Sequence, residues 1–277
     1  MLPTGWKWAD VEVAVPRPGT RLPGVTMAGF RQRIRGDVGI TMVAHPSVTL
    51  FLDLSETGGI VREAGGTRRC GSFVAGLLPG PLRTGGHEGA CLQIRLSPVV
   101  AAALLGASAE LTGTVATLEE VWGRDAGRVE ERLRAAPSWD ERFAIAADIL
   151  AHRMAARPRV EPEVLHTWRR TLAARGRVGV EGLAEEVGWS RKRLWSRFGS
   201  QLGLTPKRAA RLVRFDHAAH LLAAGHPAAA VAARSGYADQ SHLHREARAV
   251  AGLTPTELAT APWLAIDDVA WPAGPRT

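Results

Sequence analysis

Over its first hundred residues the chain shows short apolar bursts broken by glycine and proline, and beyond them apolar residues recur every three or four positions. Residues 48–54 (VTLFLDL), 59–63, 72–77 and 91–96 read as strands, separated by turns such as Pro79-Gly80-Pro81 and Gly85-Gly86. Residues 24–97 are therefore expected to be β-rich. At Ser97-Pro98 the pattern changes, with a capping serine and a proline at the first helical position opening a helix over 99–105. Helices are expected over 117–122, 126–135 and 138–155, the last with Phe143, Ala147, Leu150 and Met154 on one stripe. Arg157-Pro158-Arg159 reads as a linker. The helical period then runs to Ala261-Pro262, and residues 263–277 show no clear period. The resulting division is 1–157, 158–261 and a tail, 262–277.

Within the helical half a pattern repeats. Gly-Leu-Thr-Pro occurs at 203–206 and again at 252–255, and the same offset carries Ser190 onto Asp239 and Leu194 onto Leu243. Trp189 follows Gly188 and Tyr237 follows Gly236. Each copy reads as a short helix (180–187, 228–235), a Gly-aromatic turn, and a second helix capped by Ser190 or Asp239. In the first copy Leu194 and Phe198 face inward against Leu183, Ala184 and Val187, which leaves Arg191, Lys192, Trp195 and Ser196 outward. In the second, Leu243 and Ala247 face inward; Gln240, Ser241, His244 and Arg245 face outward, with His242 alongside. Between the copies Thr205 caps and Pro206 opens a helix reaching about Leu222. Its length of roughly 25 Å suits two probes held about one DNA turn, ~34 Å, apart. Lys207, Arg208, Arg211 and Arg214 stripe this rod, as phosphate contacts or as a solvated face. Two helix-turn-helix units in one chain point to duplex DNA.

Charge agrees with this placement. Of a net +8 over 277 residues, most lies between Arg159 and Thr260, where 16 Lys/Arg face 9 Asp/Glu. A phosphate backbone attracts such a segment, although the chain is rich in arginine throughout.

The stretches GWSRKRLWSRF (188–198), GLTP (203–206), Arg214 and GYADQSHLHREARAVAGLTPTEL (236–258) resemble the DNA-binding domain of the AraC/XylS family of transcription regulators. The resemblance covers roughly residues 160–260. It implies an α+β chain: an N-terminal β-rich, cupin-like sensor or dimerisation domain with trailing helices, then an all-α double helix-turn-helix domain. It also implies base contacts from Arg191, Lys192, Trp195 and Ser196 in one half-site. Gln240, Ser241, His242, His244 and Arg245 would serve the other, with Lys207, Arg211 and Arg214 on phosphates. Arg245 has the chemistry for guanine and Gln240 for adenine. Two departures stand out: Ala247 occupies a position where Phe is common, implying a looser core, and Trp195 is unusual among base-reading residues. Double-stranded DNA is the expected partner; a small-molecule effector, a homodimer and RNA polymerase (for an activator) are compatible with it. A protein that binds DNA without any ligand, its N-terminal half serving self-association alone, is the alternative.

Other chemistries find little support. A metal-dependent cupin would need several histidines and a glutamate on barrel strands, and the N-terminal half offers His45, His87 and Glu88. No cofactor, metal or catalytic role is expected. Cys70 and Cys91 read as core or strand thiols rather than a redox pair. The same two cysteines rule out the four-thiolate zinc site that a methyl-transfer repair protein with this type of DNA-binding half requires. Phe30, Phe51, Phe73, Trp122, Trp139 and Phe143 either fill the core or line a ligand pocket. The longest apolar run, 99–105, is too short to span a bilayer, and 1–15 lacks the apolar core of a secretory signal. A cytoplasmic location is expected.

Overall fold

The computed structural model describes residues 11–32, 38–55, 60–62, 68–78, 82–86, 89–106, 109–156 and 160–271. The expected linker at 157–159 and the pair His87-Glu88 lie outside them.

The N-terminal half carries two antiparallel sheets. The six-stranded sheet runs in the order β1 (Val11–Ala14), β2 (Val25–Gln32), β9 (Gly89–Leu96), β4 (Val48–Asp53), β7 (Phe73–Ala75), β10 (Val115–Thr117). The four-stranded sheet has the order β3 (Val38–Met42), β8 (Leu82–Gly86), β5 (Ile60–Arg62), β6 (Arg68–Cys70). The period of two decides which side of the larger sheet each residue occupies. Met27, Leu50, Leu52, Val74, Leu92 and Ile94 join one core beneath the helices. Alternate positions form the other face: Ala28 and Phe30 on β2, Thr49 and Phe51 on β4, Phe73 on β7, Gln93 and Arg95 on β9.

This alternation divides the six aromatics. Trp122, Trp139 and Phe143 pack in or against the core under the helices. Phe51 and Phe73 stack at 4.8 Å on the opposite face, and Phe30 lies there too. The cysteines belong to different sheets, and Cys91 is a free thiol. Burial, and then the nearby Asp53 carboxylate, push its pKa up to about 12, so it is unreactive at neutral pH.

The trailing helices are α1 (Pro98–Leu105), α2 (Leu118–Trp122), α3 (Asp125–Ala135) and α4 (Trp139–Ala155). Their starts follow the sequence signals: Ser97, Thr117 and Ser138 each accept a backbone N–H, and Glu120 returns the bond to Thr117 in a capping box.

The C-terminal half comprises α5 (Pro162–Ala173), α6 (Val180–Glu186), α7 (Arg191–Leu202), α8 (Pro206–Ala223), α9 (Ala228–Arg234), α10 (Gln240–Ala251), α11 (Pro255–Ala259) and α12 (Pro262–Ala270). The last of these lies in the stretch set apart as a tail, where the sequence shows no clear helical period; of that stretch residues 262–271 are described. Pro262 is not where helical structure stops; it is the first residue of another helix, as Pro206 and Pro255 are.

The two halves are not joined by a bare linker. Trp168, Leu183, Leu194, Phe198, Leu202 and Leu212 belong to the same core as the sheet residues, and α1 packs on α7. A Cβ on Gly203 would lie 2.7 Å from the Ala109 Cα, so the exit of α7 sits tightly on the N-terminal half. A second core, around Phe215, Val231, Leu243 and Leu258, includes Val43 from the loop after β3.

Candidate DNA-binding surface

The duplicated pattern becomes duplicated geometry. α7 and α10 each have 12 residues. Ser190 Oγ accepts from the Arg193 N–H at 3.2 Å, and Asp239 Oδ1 accepts from the His242 N–H at 2.6 Å. Both helices end at a left-handed glycine, Gly203 with φ 77° and Gly252 with φ 70°. A threonine cap and a proline at the first helical position follow in both copies. The turns match as well: the Trp189 N–H bonds the Ala184 carbonyl at 2.9 Å, as the Tyr237 N–H does that of Ala232. One difference separates the copies. Ala238 stands between Tyr237 and its cap Asp239, whereas Trp189 adjoins Ser190, so the second turn is one residue longer.

Burial sorts each recognition helix into two faces. Leu194, Phe198 and Leu202 point inward on α7, as do Leu243, Ala247 and Ala251 on α10. Ala247 is completely buried, in the core with Leu243 and Ala251. Arg191, Lys192, Trp195 and Ser196 are exposed on α7; Gln240, Ser241, His244 and Arg245 are exposed on α10. Trp195 is 49% exposed, one of three large apolar residues left open to solvent among the described residues.

His242 is half-buried, its ring set edge-on against Tyr237 at 5.2 Å, which places it at the margin of the α10 face. Arg191 reaches back to Glu181 at 2.9 Å in an ion pair exposed on both sides; such a pair contributes little and yields readily to a phosphate.

On the connector, α8, the stripe of basic residues is not uniform. Lys207 and Arg208 are exposed. Arg214 turns inward, half-buried, with its guanidinium 4.8 Å from the centre of the Tyr237 ring. Arg211 donates from Nε and Nη2 to both carboxylate oxygens of Glu246 at 3.0 and 2.8 Å. Glu246 is buried on α10, and the hydrogen bond to it raises the Arg211 pKa above the ordinary value. This fork locks the second recognition helix onto the connector. Arg211→Ala is therefore expected to cost about 1–3 kcal/mol of stability by leaving a buried carboxylate unpaired. Urea denaturation measures that cost, and the salt dependence of DNA binding should change by less than one phosphate contact.

The first motif is braced differently. Arg197 forks onto Glu161 at the start of α5, and Gln201 Nε2 joins the same carboxylate at 2.6 Å. Arg170 and His166 of α5 hold Glu186 of α6, and their hydrogen bonds bring its pKa down to about 2. Arg193 lies over Trp189 at 4.4 Å, fixing the turn. The hydrophobic pattern does not reveal the Glu161 and Glu186 braces, because their partners sit on different elements. Outside the helical half, His45 Nε2 lies 3.1 Å from the Thr49 hydroxyl. No group of three His, Cys, Asp or Glu side chains converges as a metal ion would require, among the described residues.

Two helix-turn-helix units on a shared connector helix are an arrangement suited to a DNA-binding module. Residues 183–261 match the family model described as a helix-turn-helix domain. The C-terminal region thus holds a helix-turn-helix domain of the AraC type. No curated protein sequence matches the chain. Among solved structures the chain is similar to ToxT from Vibrio cholerae O395 at 11% identity and TM-score 0.46, over 87% of this chain and 98% of that one. It is also similar to the C-terminal domain of AraT, a response regulator from Geobacillus stearothermophilus, at 22% identity and TM-score 0.35, over 37% and 88%. The AraC-like transcriptional activator CuxR is similar at 17% identity and TM-score 0.29, over 75% and 87%. All three likenesses are distant.

Proposed function

We propose that this protein is a sequence-specific regulator of transcription that reads duplex DNA through α7 and α10, with its N-terminal half as the regulatory part. The observation that carries this reading is the pair of equally long helices, each capped by a side-chain oxygen that accepts the third helical N–H, each with a largely apolar buried face and an exposed polar one. Lys192, Trp195 and Ser196 contact bases in one half-site, and Gln240, Ser241, His244 and Arg245 in the other, with Arg191 and His242 at the margins. Lys207 and Arg208 supply phosphate contacts that set the register without reading sequence. On this reading the chain works in the cytoplasm and catalyses no reaction; no described helix is long and apolar enough to cross a membrane.

An effector or a second copy of the chain would act on the N-terminal half by favouring one arrangement of the two halves. The continuous core between the six-stranded sheet and α7 supports this coupling. Thermal-shift screening of the full chain against metabolites, beside its oligomeric state, separates a sensor from a plain self-associating domain.

Selection of bound sequences from random DNA by the full chain tests the main reading. Arg245→Ala is expected to lose about 1–3 kcal/mol of specific binding and to relax preference at one base position. Unchanged affinity and preference would remove α10 from the readout.

A further inference from the structure

Past the second Gly-Leu-Thr-Pro exit the chain turns back to the sheet. Ala270 and Trp271, at the end of α12, bury against Ala28, with Val13, Phe30 and Ile266 packed around them. The Trp271 ring lies 6.3 Å from that of Phe30 and 4.2 Å from the Arg95 guanidinium. The start of the same helix belongs to the DNA-binding domain: Leu264 enters the core built on Phe215, Ala218 and Leu222. Between these ends sits Asp267, its side chain buried. Its carboxylate accepts from Arg95 Nη2 at 2.9 Å and Nη1 at 3.3 Å, and from His220 Nε2 at 3.0 Å. Arg95 is on β9 and His220 on α8, so one carboxylate ties the sheet to the connector between the two reading helices.

The histidine is set up for this bridge. Nδ1 of His220 faces the Asp216 carbonyl at 2.8 Å while Nε2 faces Asp267, the pattern of a doubly protonated ring. Burial opposes the charge, but Asp267 and Asp216 outweigh it and hold the His220 pKa up at about 9. Asp267 keeps its charge too: Arg95 and His220 overcome burial and hold its pKa well below the usual carboxylate range. The other groups facing the bridge are His217 of α8 and His45 of the loop after β3. His45, lowered to about 3 by burial and then by Arg95, stays neutral.

We propose that α12 is a strap that ties the C-terminal half of α8 to the six-stranded sheet, beyond the core that α7 already shares with it, with Arg95–Asp267–His220 as its latch. The strap leaves Lys192, Trp195, Gln240 and Arg245 exposed while engaged. It therefore sets the arrangement of the two halves and does not mask the reading helices. Its release would open the sheet face around Ala28, Phe30 and Arg95, and give α8 an independence it lacks in the latched form.

Hydrogen exchange on the full chain tests this. Asp267→Asn should raise amide exchange roughly tenfold in α12, in β1–β2 and in the C-terminal half of α8 together, the scale of a lost charge-assisted hydrogen bond. α7 should keep its protection. His220→Gln, which retains a neutral donor, should give a smaller rise in the same three segments. Val269→Ser, on the 56%-exposed outer face of α12, should change none of them. The His220 contribution is fully present below its ordinary value of 6.5 and is lost as pH rises through about 9. Wild-type protein brought to pH 10, with exchange corrected for the intrinsic rate, should accordingly reproduce the His220→Gln pattern. Faster exchange confined to α12, with β1–β2 and α8 at wild-type protection in both variants, would overturn the strap.

Discussion

Phe198→Ala is expected to destabilise the protein by about 3–5 kcal/mol, which makes it one of the two most damaging single changes anticipated for the chain. Phe198 is wholly buried on α7, in the core shared between the first helix-turn-helix motif and the sheet. Truncation removes the largest inward side chain of that helix and leaves a cavity that rigid neighbours on α5, α8 and α1 fill only in part. Urea denaturation of the full chain gives the cost. A loss below about 1 kcal/mol, the scale of an ordinary surface change, would mean that the motif does not share the sheet's core. The counterpart position reverses the sign of the volume change. Ala247 is just as buried on α10, so enlarging it to Phe should strain the second motif at about 1–3 kcal/mol.

Gly176→Ala should do comparable harm for a different reason. Gly176 closes the turn after α5 with φ 69°, and an added Cβ would stand 2.1 Å from the Ala210 carbonyl oxygen and 2.7 Å from the Arg214 nitrogen. Both obstacles are backbone atoms of α8, so no rotamer relieves the collision. The left-handed conformation adds about 1–2 kcal/mol for a residue with a side chain. With the displaced connector, the total should reach about 2–5 kcal/mol. The turn lies outside both reading helices, yet α8 carries them, so DNA affinity should fall together with the thermal midpoint. A midpoint within a degree of wild type would show that α5 and α8 separate freely.

Much of the helical half was legible in the sequence because its signals are local. A serine, threonine or aspartate cap, a proline at the first helical position and a glycine past the last turn each act within a few residues. They placed α7, α8, α10 and their exits, and the inward and outward faces followed from the helical period. The sheets were legible only in part. Residues 48–54, 72–77 and 91–96 announce β4, β7 and β9 by their apolar content. β2, which pairs with two neighbours, does not, because it carries Ala28 and Gly29 at its centre. Those small residues answer to distant partners: a Cβ on Gly29 would strike the Trp139 ring at 2.4 Å, and Ala28 lies under Trp271. Tertiary contact here overrides strand propensity. The same blindness hid α12. Its buried positions are divided between a sheet and a helix bundle, so no single apolar stripe runs along it, and Asp267 reads as a solvent residue until Arg95 and His220 are brought beside it. Among the candidate contacts, pattern alone did not show that Arg211, though exposed, forks onto Glu246, or that Arg214 lies half-buried over Tyr237.

The two recognition helices share length, caps and inward register, but they display unlike chemistry at matching positions: Lys192 against Ser241, Trp195 against His244, Ser196 against Arg245. Ala238 further alters how the second helix leaves its turn. If both helices read bases as proposed, a single chain would distinguish left from right along the duplex. Its operator would then have a direction, and inverting that sequence in front of a gene would turn the N-terminal half to face the other way.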